Sequence, residues 1–174
     1  MSIKVFAMTG IAALSLGSVS LAGETPSASG AAVYFVNLND GDTVSGPVKV
    51  IFGLSGMGVA PAGTEAENTG HHHILINRVP FGQGADDADM LETGVYSDDN
   101  HKHFGKGQTE TVLELGAGTH TLQLVLGDLY HVPHDPPVIS DQITITVTEG
   151  SHTYFPVIWL KGGEARAQMP GFLP

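Results

Sequence analysis

The chain is predicted to fold as an all-β protein, an antiparallel β-sandwich of the immunoglobulin or fibronectin kind with about seven strands. Three observations predict it. Apolar residues recur at every second position in short runs; 23 Gly and 10 Pro supply turns between those runs; and charged residues make up only 14% of a chain that is 41% hydrophobic. A period of two places alternate side chains on opposite sheet faces, whereas helices need apolar positions three and four apart. A small barrel is the alternative reading of the same pattern.

The elements follow in order along the 174 residues. Residues 1–22 read as a cleaved signal peptide: Lys4, an apolar stretch from Val5 to Leu16, then Ser20-Leu21-Ala22 as the small-residue cleavage site. The stretch is short of the roughly 20 residues that span a bilayer and is broken by Gly10, Ser15 and Gly17. Export to the periplasm, or secretion, is the expected destination, with no later membrane span. Residues 23–31 form a Ser/Ala/Gly-rich linker before a domain over 32–150 and a C-terminal extension over 151–174. Strands are expected at Ala32 to Leu38, Pro47 to Leu54, His71 to Val79, Gln108 to Leu115, Thr119 to Leu126 and Gln142 to Thr148, with one more, Thr153 to Trp159, in the extension. Leu122, Leu124 and Leu126 alternate with Thr and Gln, and Ile143, Ile145 and Val147 with Thr, so the apolar set faces inward. Residues 80–100, with six carboxylates, read as a long solvated acidic loop.

Composition excludes several functions. There is no Cys, which removes disulfides, thiol catalysis and zinc ribbons. A formal charge of −11, from 18 Asp and Glu against 7 Lys and Arg, argues against nucleic acid and anionic membranes. H-E-x-x-H, G-x-S-x-G and the EF-hand loop order are all missing. A histidine brace needs His as the first mature residue, whereas cleavage after Ala22 exposes Gly23. No catalytic set emerges.

Nine His remain, eight of them between positions 71 and 134. In an extended strand His71 and His73 share a face, about 6 to 7 Å apart at the Cα, close enough to meet on one metal ion; His72 joins Ile74 and Ile76 on the other face. His101 and His103 offer the same geometry if their segment is extended. Neutral imidazole suits copper, zinc and nickel, and Met57 is the one Met considered as a soft axial ligand. His72 and His120, in phase with apolar runs, read as structural, with an outer-shell role open. His131 and His134 lie in a Pro-rich loop as ligands or loop fasteners, and His152 reads as solvated.

Four blocks, Asn68-Thr69-Gly70-His71-His72-His73, His103-Phe104-Gly105-Lys106-Gly107-Gln108-Thr109-Glu110, Gly118-Thr119-His120-Thr121-Leu122 and His131-Val132-Pro133-His134-Asp135-Pro136-Pro137, resemble an exported bacterial family catalogued as domain of unknown function 4399. The resemblance runs from about Val33 to Val147 and implies an envelope domain with a small β-sandwich. The family's recurrent His positions fall on His71, His72, His73, His103, His120, His131 and His134; His101, His152 and the extension lie outside its motifs.

The resulting expectation is a periplasmic His-rich protein that binds copper first and zinc second, for buffering or delivery. Its ligands come from His71, His73 and His103, with His120 or the loop carrying His131 and His134 completing or supporting the site. The competing expectation is a non-catalytic envelope module, bound to another periplasmic protein, whose His are structural or sense pH.

Overall fold

The computed structural model describes residues 25–94, 97–150, 157–159 and 165–167. The expected signal peptide, His152 and the beginning of the last expected strand lie outside these residues. The elements are β1 (Ala32–Phe35), β2 (Thr43–Ser45), β3 (Val48–Ser55), β4 (Gly58–Val59), β5 (Thr69–Ile76), α1 (Asp87–Thr93), β6 (His101–His103), β7 (Glu110–Leu113), β8 (Gly118–Gly127), β9 (Ile143–Thr148), β10 (Val157–Trp159) and β11 (Ala165–Ala167).

Two sheets form the sandwich. The smaller runs β1-β3-β7, and the larger runs β2-β9-β8-β5-β4, with β6 also paired to β5. The long pairs are antiparallel, while the short β2 and β4 add parallel edges to β9 and β5. β10 and β11 pair with each other as an antiparallel hairpin. The period-two pattern builds the core: Val48, Val50 and Phe52 of β3 meet Ile74 and Ile76 of β5, Leu122, Leu124 and Leu126 of β8, and Ile143, Ile145 and Val147 of β9. Burying each such side chain contributes roughly 1.5–3 kcal/mol, so this interior is the main source of stability.

The larger sheet differs from the sequence expectation in being covered on its outer face as well. Leu75 and Val125, which face away from the sandwich core, pack with Phe81 and Met90 of the 78–94 segment in a second apolar cluster. Gln123, expected to face solvent, is buried there; its Oε1 accepts from Phe81 N at 2.8 Å and its Nε2 donates to Ser140 O at 2.9 Å. The covering segment also corrects the reading of 80–100 as a solvated acidic loop. Asp87 and Asp89 lie in the first turn of α1, where carboxylates favour the helix dipole, and Gly94 at φ 84° ends it by donating to Met90 O at 3.0 Å. Arg78 pairs with Asp86 and Asp87, and Asp87 accepts from the Gly82 and Gly84 amides, the latter at 2.8 Å. Those carboxylates hold the flap down. β5 also stops earlier than expected, because Asn77 takes a left-handed φ of 54° and the chain leaves the sheet.

Candidate metal centre

The outer face of β5 carries His71, His73 and Leu75 in alternate positions, and its antiparallel neighbours extend these into rows. His73 stands opposite Val125 on β8 and His103 on β6; Leu75 stands opposite Gln123 and His101; His71 stands opposite Gly127. Residues 101–103 are extended and hydrogen-bonded to β5, which meets the condition for His101 and His103 to share a face. Over this face folds the connection from Asp128 to Pro133, which brings down His131.

Four imidazoles meet there. The Nε2 atoms of His71 and His73 are 3.0 Å apart. The ring centroids of His71 lie 4.7 Å from His73, 5.0 Å from His103 and 5.0 Å from His131, and those of His103 and His131 lie 4.5 Å apart. One nitrogen from each of His71, His103 and His131 lies within 4.8 Å of the others. His71 and His73 are buried, whereas His103 and His131 are half-buried, so the cluster has a rigid strand floor and a rim reached from solvent. Among the described residues, His73 Nδ1 and His103 Nε2 are buried with no hydrogen-bond partner, an arrangement proteins rarely leave without a compensating ligand.

His71, His73 and His103 are held uncharged near neutral pH. Burial pushes His71 down to about 4, the neighbouring His131 and His103 add to this, and Asp128 opposes it. Burial, then repulsion from His71, His103 and His131, takes His73 well below its ordinary value, and burial with His131 lowers His103. Neutral rings are the form that donates a lone pair to a metal.

Small residues make the room. A Cβ on Gly127 would lie 2.8 Å from His73 Nε2, and one on Gly105 would overlap the His103 ring. His131 has a left-handed φ of 73°, a conformation that non-glycine residues adopt at a cost. Asp128 supports it: buried at 3% exposure, its Oδ1 accepts from Tyr130 N at 2.8 Å and Val132 N at 2.9 Å, and its Oδ2 from Thr25 Oγ1 at 2.6 Å. Sequence reasoning missed Asp128, although an Asp just after a Gly at the end of an apolar run is a signal for a turn closed by its side chain on the backbone two residues on.

The remaining expected positions fall elsewhere. His120 is a correction to the ligand set: its Nε2 donates to Gly116 O at 2.8 Å and its Nδ1 accepts from Asn77 Nδ2 at 3.1 Å, which uses both nitrogens to brace a turn. His134 is a second correction. Its Nδ1 and Nε2 face the Leu126 and Thr69 carbonyls at 3.4 and 3.3 Å, and the buried ring fastens the loop to the sheet. His72 points into the sandwich core, as the alternation predicts, with its ring 4.9 Å from Phe52. His101 is buried with Nδ1 3.2 Å from Asp98 Oδ1. Met57 packs against the sandwich core, on the face opposite the imidazoles, and cannot serve as their axial ligand.

Fold and site together define a β-sandwich that carries a histidine cluster under a loop on its outer sheet face. The model of the family described as domain of unknown function DUF4399 matches residues 50–148, more than half of the chain, and the chain belongs to that family. No curated protein and no solved structure matches it. Among the described residues no helix is long and apolar enough to cross a membrane.

Proposed function

We propose that this protein binds a single transition-metal ion through His71, His73, His103 and His131, copper first and zinc second, and serves to buffer or deliver that ion in the periplasm. The observation that carries the reading is the convergence of four imidazoles from β5, β6 and the 128–133 loop, with two buried ring nitrogens that have no hydrogen-bond partner among the described residues. Nitrogens bound at about 2.0–2.1 Å to one ion lie at most about 4.2 Å apart, so the rings would draw together by small torsional changes at the half-buried rim. An all-imidazole set favours Cu(II) over Zn(II) by the usual affinity order and offers little to Mg(II) or Ca(II), which prefer oxygen. The charge of −11 raises the local concentration of cations.

Calorimetric titration of the untagged protein with Cu(II) and Zn(II) tests this. The expected result is one site with Kd tighter than about 10 μM, lost in a His71→Ala/His73→Ala/His103→Ala variant. The single change His103→Ala, at a half-buried position, guards against a misfolded triple variant and should weaken binding at least about tenfold. Binding weaker than the threshold, or equal in the variants, discards the proposal. A second reading, an interaction module whose His sense pH, is favoured by the lowered pKa values of His71 and His73 and predicts acid-dependent partner binding without any metal.

A further inference from the structure

The residue that shapes this cluster is not itself a ligand. Asp128 directly follows Gly127, the cross-strand partner of His71, and opens the turn that carries His131. Its backbone closes that turn twice: its N–H donates to Val132 O at 2.8 Å and its carbonyl accepts from His131 N at 3.0 Å. Its side chain closes it twice more by accepting from the N–H groups of Tyr130 and Val132, the residues on either side of His131. The second carboxylate oxygen is bound by Thr25, and residues 25–27 are in turn tied to Asp135 by Asp135 N to Thr25 O at 2.8 Å and Ser27 N to Asp135 O at 2.9 Å. Both ends of the loop that presents His131 are therefore fixed by one carboxylate and one N-terminal strap.

This matters because His131 is left-handed at φ 73°. A non-glycine residue keeps such a backbone only when its surroundings over-determine it. Without an acceptor for the flanking amides, the turn relaxes toward the right-handed region and the imidazole swings away from His71 and His103. Resting on the metal reading above, we propose that Asp128, strapped by Thr25, is the positioning residue of the site, acting through His131 to set its affinity for a divalent transition metal.

The test is Zn(II) titration of the whole protein as wild type, Asp128→Ala, Asp128→Asn, Thr25→Val, His131→Ala and the double variants with His131→Ala, with Co(II) absorption read on each. Removing an outer-shell partner typically costs 10–100-fold in metal affinity, which is the loss expected for Asp128→Ala. Asn keeps a side-chain oxygen for the same two amides, so Asp128→Asn should bind within about threefold of wild type. Thr25→Val should lose about three- to tenfold, because the carboxylate loses one of its three anchors. Neither Asp128→Ala nor Thr25→Val should cost anything further once His131 is Ala, and the Co(II) bands of Asp128→Ala should match those of His131→Ala. Additive losses in the double variants, or Asp128→Asn binding as weakly as Asp128→Ala, overturn the positioning role. If Asp128→Ala does not fold, Thr25→Val in the two backgrounds distinguishes the same outcomes. Wild-type protein that binds no metal overturns the site and this role together, whereas wild-type binding with unchanged Asp128→Ala and Thr25→Val affinity overturns this role alone.

Discussion

Three consecutive histidines on β5 divide between two faces, and alternation assigns them. His71 and His73 face the outer cluster, while His72 enters the sandwich core against Phe52, where the Gln108 backbone is its polar neighbour but neither ring nitrogen makes a well-formed hydrogen bond among the described residues. A buried polar group without a partner costs about 1–3 kcal/mol, so an apolar residue of similar size should do as well or better there. His72→Leu is therefore expected to raise or preserve the thermal midpoint in the metal-free protein and to leave Zn(II) affinity within about threefold. His73→Leu, one residue on, should abolish tight binding, and the pair of melts and titrations separates the two faces. This much was legible in the sequence, because a two-residue period needs no tertiary knowledge. The division of labour between His131 and His134 was not. Both lie in one Pro-rich loop, and only the left-handed backbone at 131 and the carbonyls facing 134 send one ring to the cluster and the other to the sheet.

At the level of elements, the site exists because β5 has strands on both sides and a cover above. β8 supplies Gly127 opposite His71, and a side chain there would press on the His73 ring at 2.8 Å. Gly127→Ala should thus displace a buried, confined imidazole: overpacking of this kind costs typically about 1–3 kcal/mol, readable as a lower urea midpoint, and Zn(II) binding should weaken at least about tenfold. The main strands were visible as alternating runs. β6 was visible only conditionally, since His101-Lys102-His103 is too short to show a period and pairs because β5 offers it an edge. α1 was invisible for a different reason. Its seven residues look like an acidic loop until Arg78 pairs with Asp86 and Asp87, and Met90 finds the apolar patch of Leu75, Phe81 and Val125.

For the whole molecule, the buried imidazoles couple stability to acidity. Burial holds both His71 and His72 at about 4, and lowers His73, His103 and His101 as well, so the folded pKa values lie below the ordinary 6.5. Between pH 6.5 and 4 the unfolded chain takes up protons that the folded chain refuses, and stability falls as pH falls through that window. Above it, these groups are neutral in both states and have no effect. At the bottom of the window His71 and His72, both essentially buried, each cost on the order of 3 kcal/mol, a large share of the roughly 5–15 kcal/mol that holds a typical domain together. Urea midpoints of the metal-free protein should be flat from about pH 8 to 7 and drop steeply from about 6.5 to 4, with His72→Leu flattening part of the drop. Bound Zn(II) should move the drop to lower pH, by an amount that grows with free metal concentration, until protons displace it.

Local sequence was enough to set the class of fold, the inward face of each long strand and the pairing of His71 with His73, because these follow from a short period and from turn chemistry that act over a few residues. Which histidines gather depends instead on how distant segments pack. Bringing His103 and His131 to the β5 pair, turning His120 and His134 into braces, and joining Asp128 to Thr25 from positions 103 residues apart all require contacts far along the chain. Those contacts arise from the burial of two sheets and a covering flap, which no short stretch of chain encodes alone.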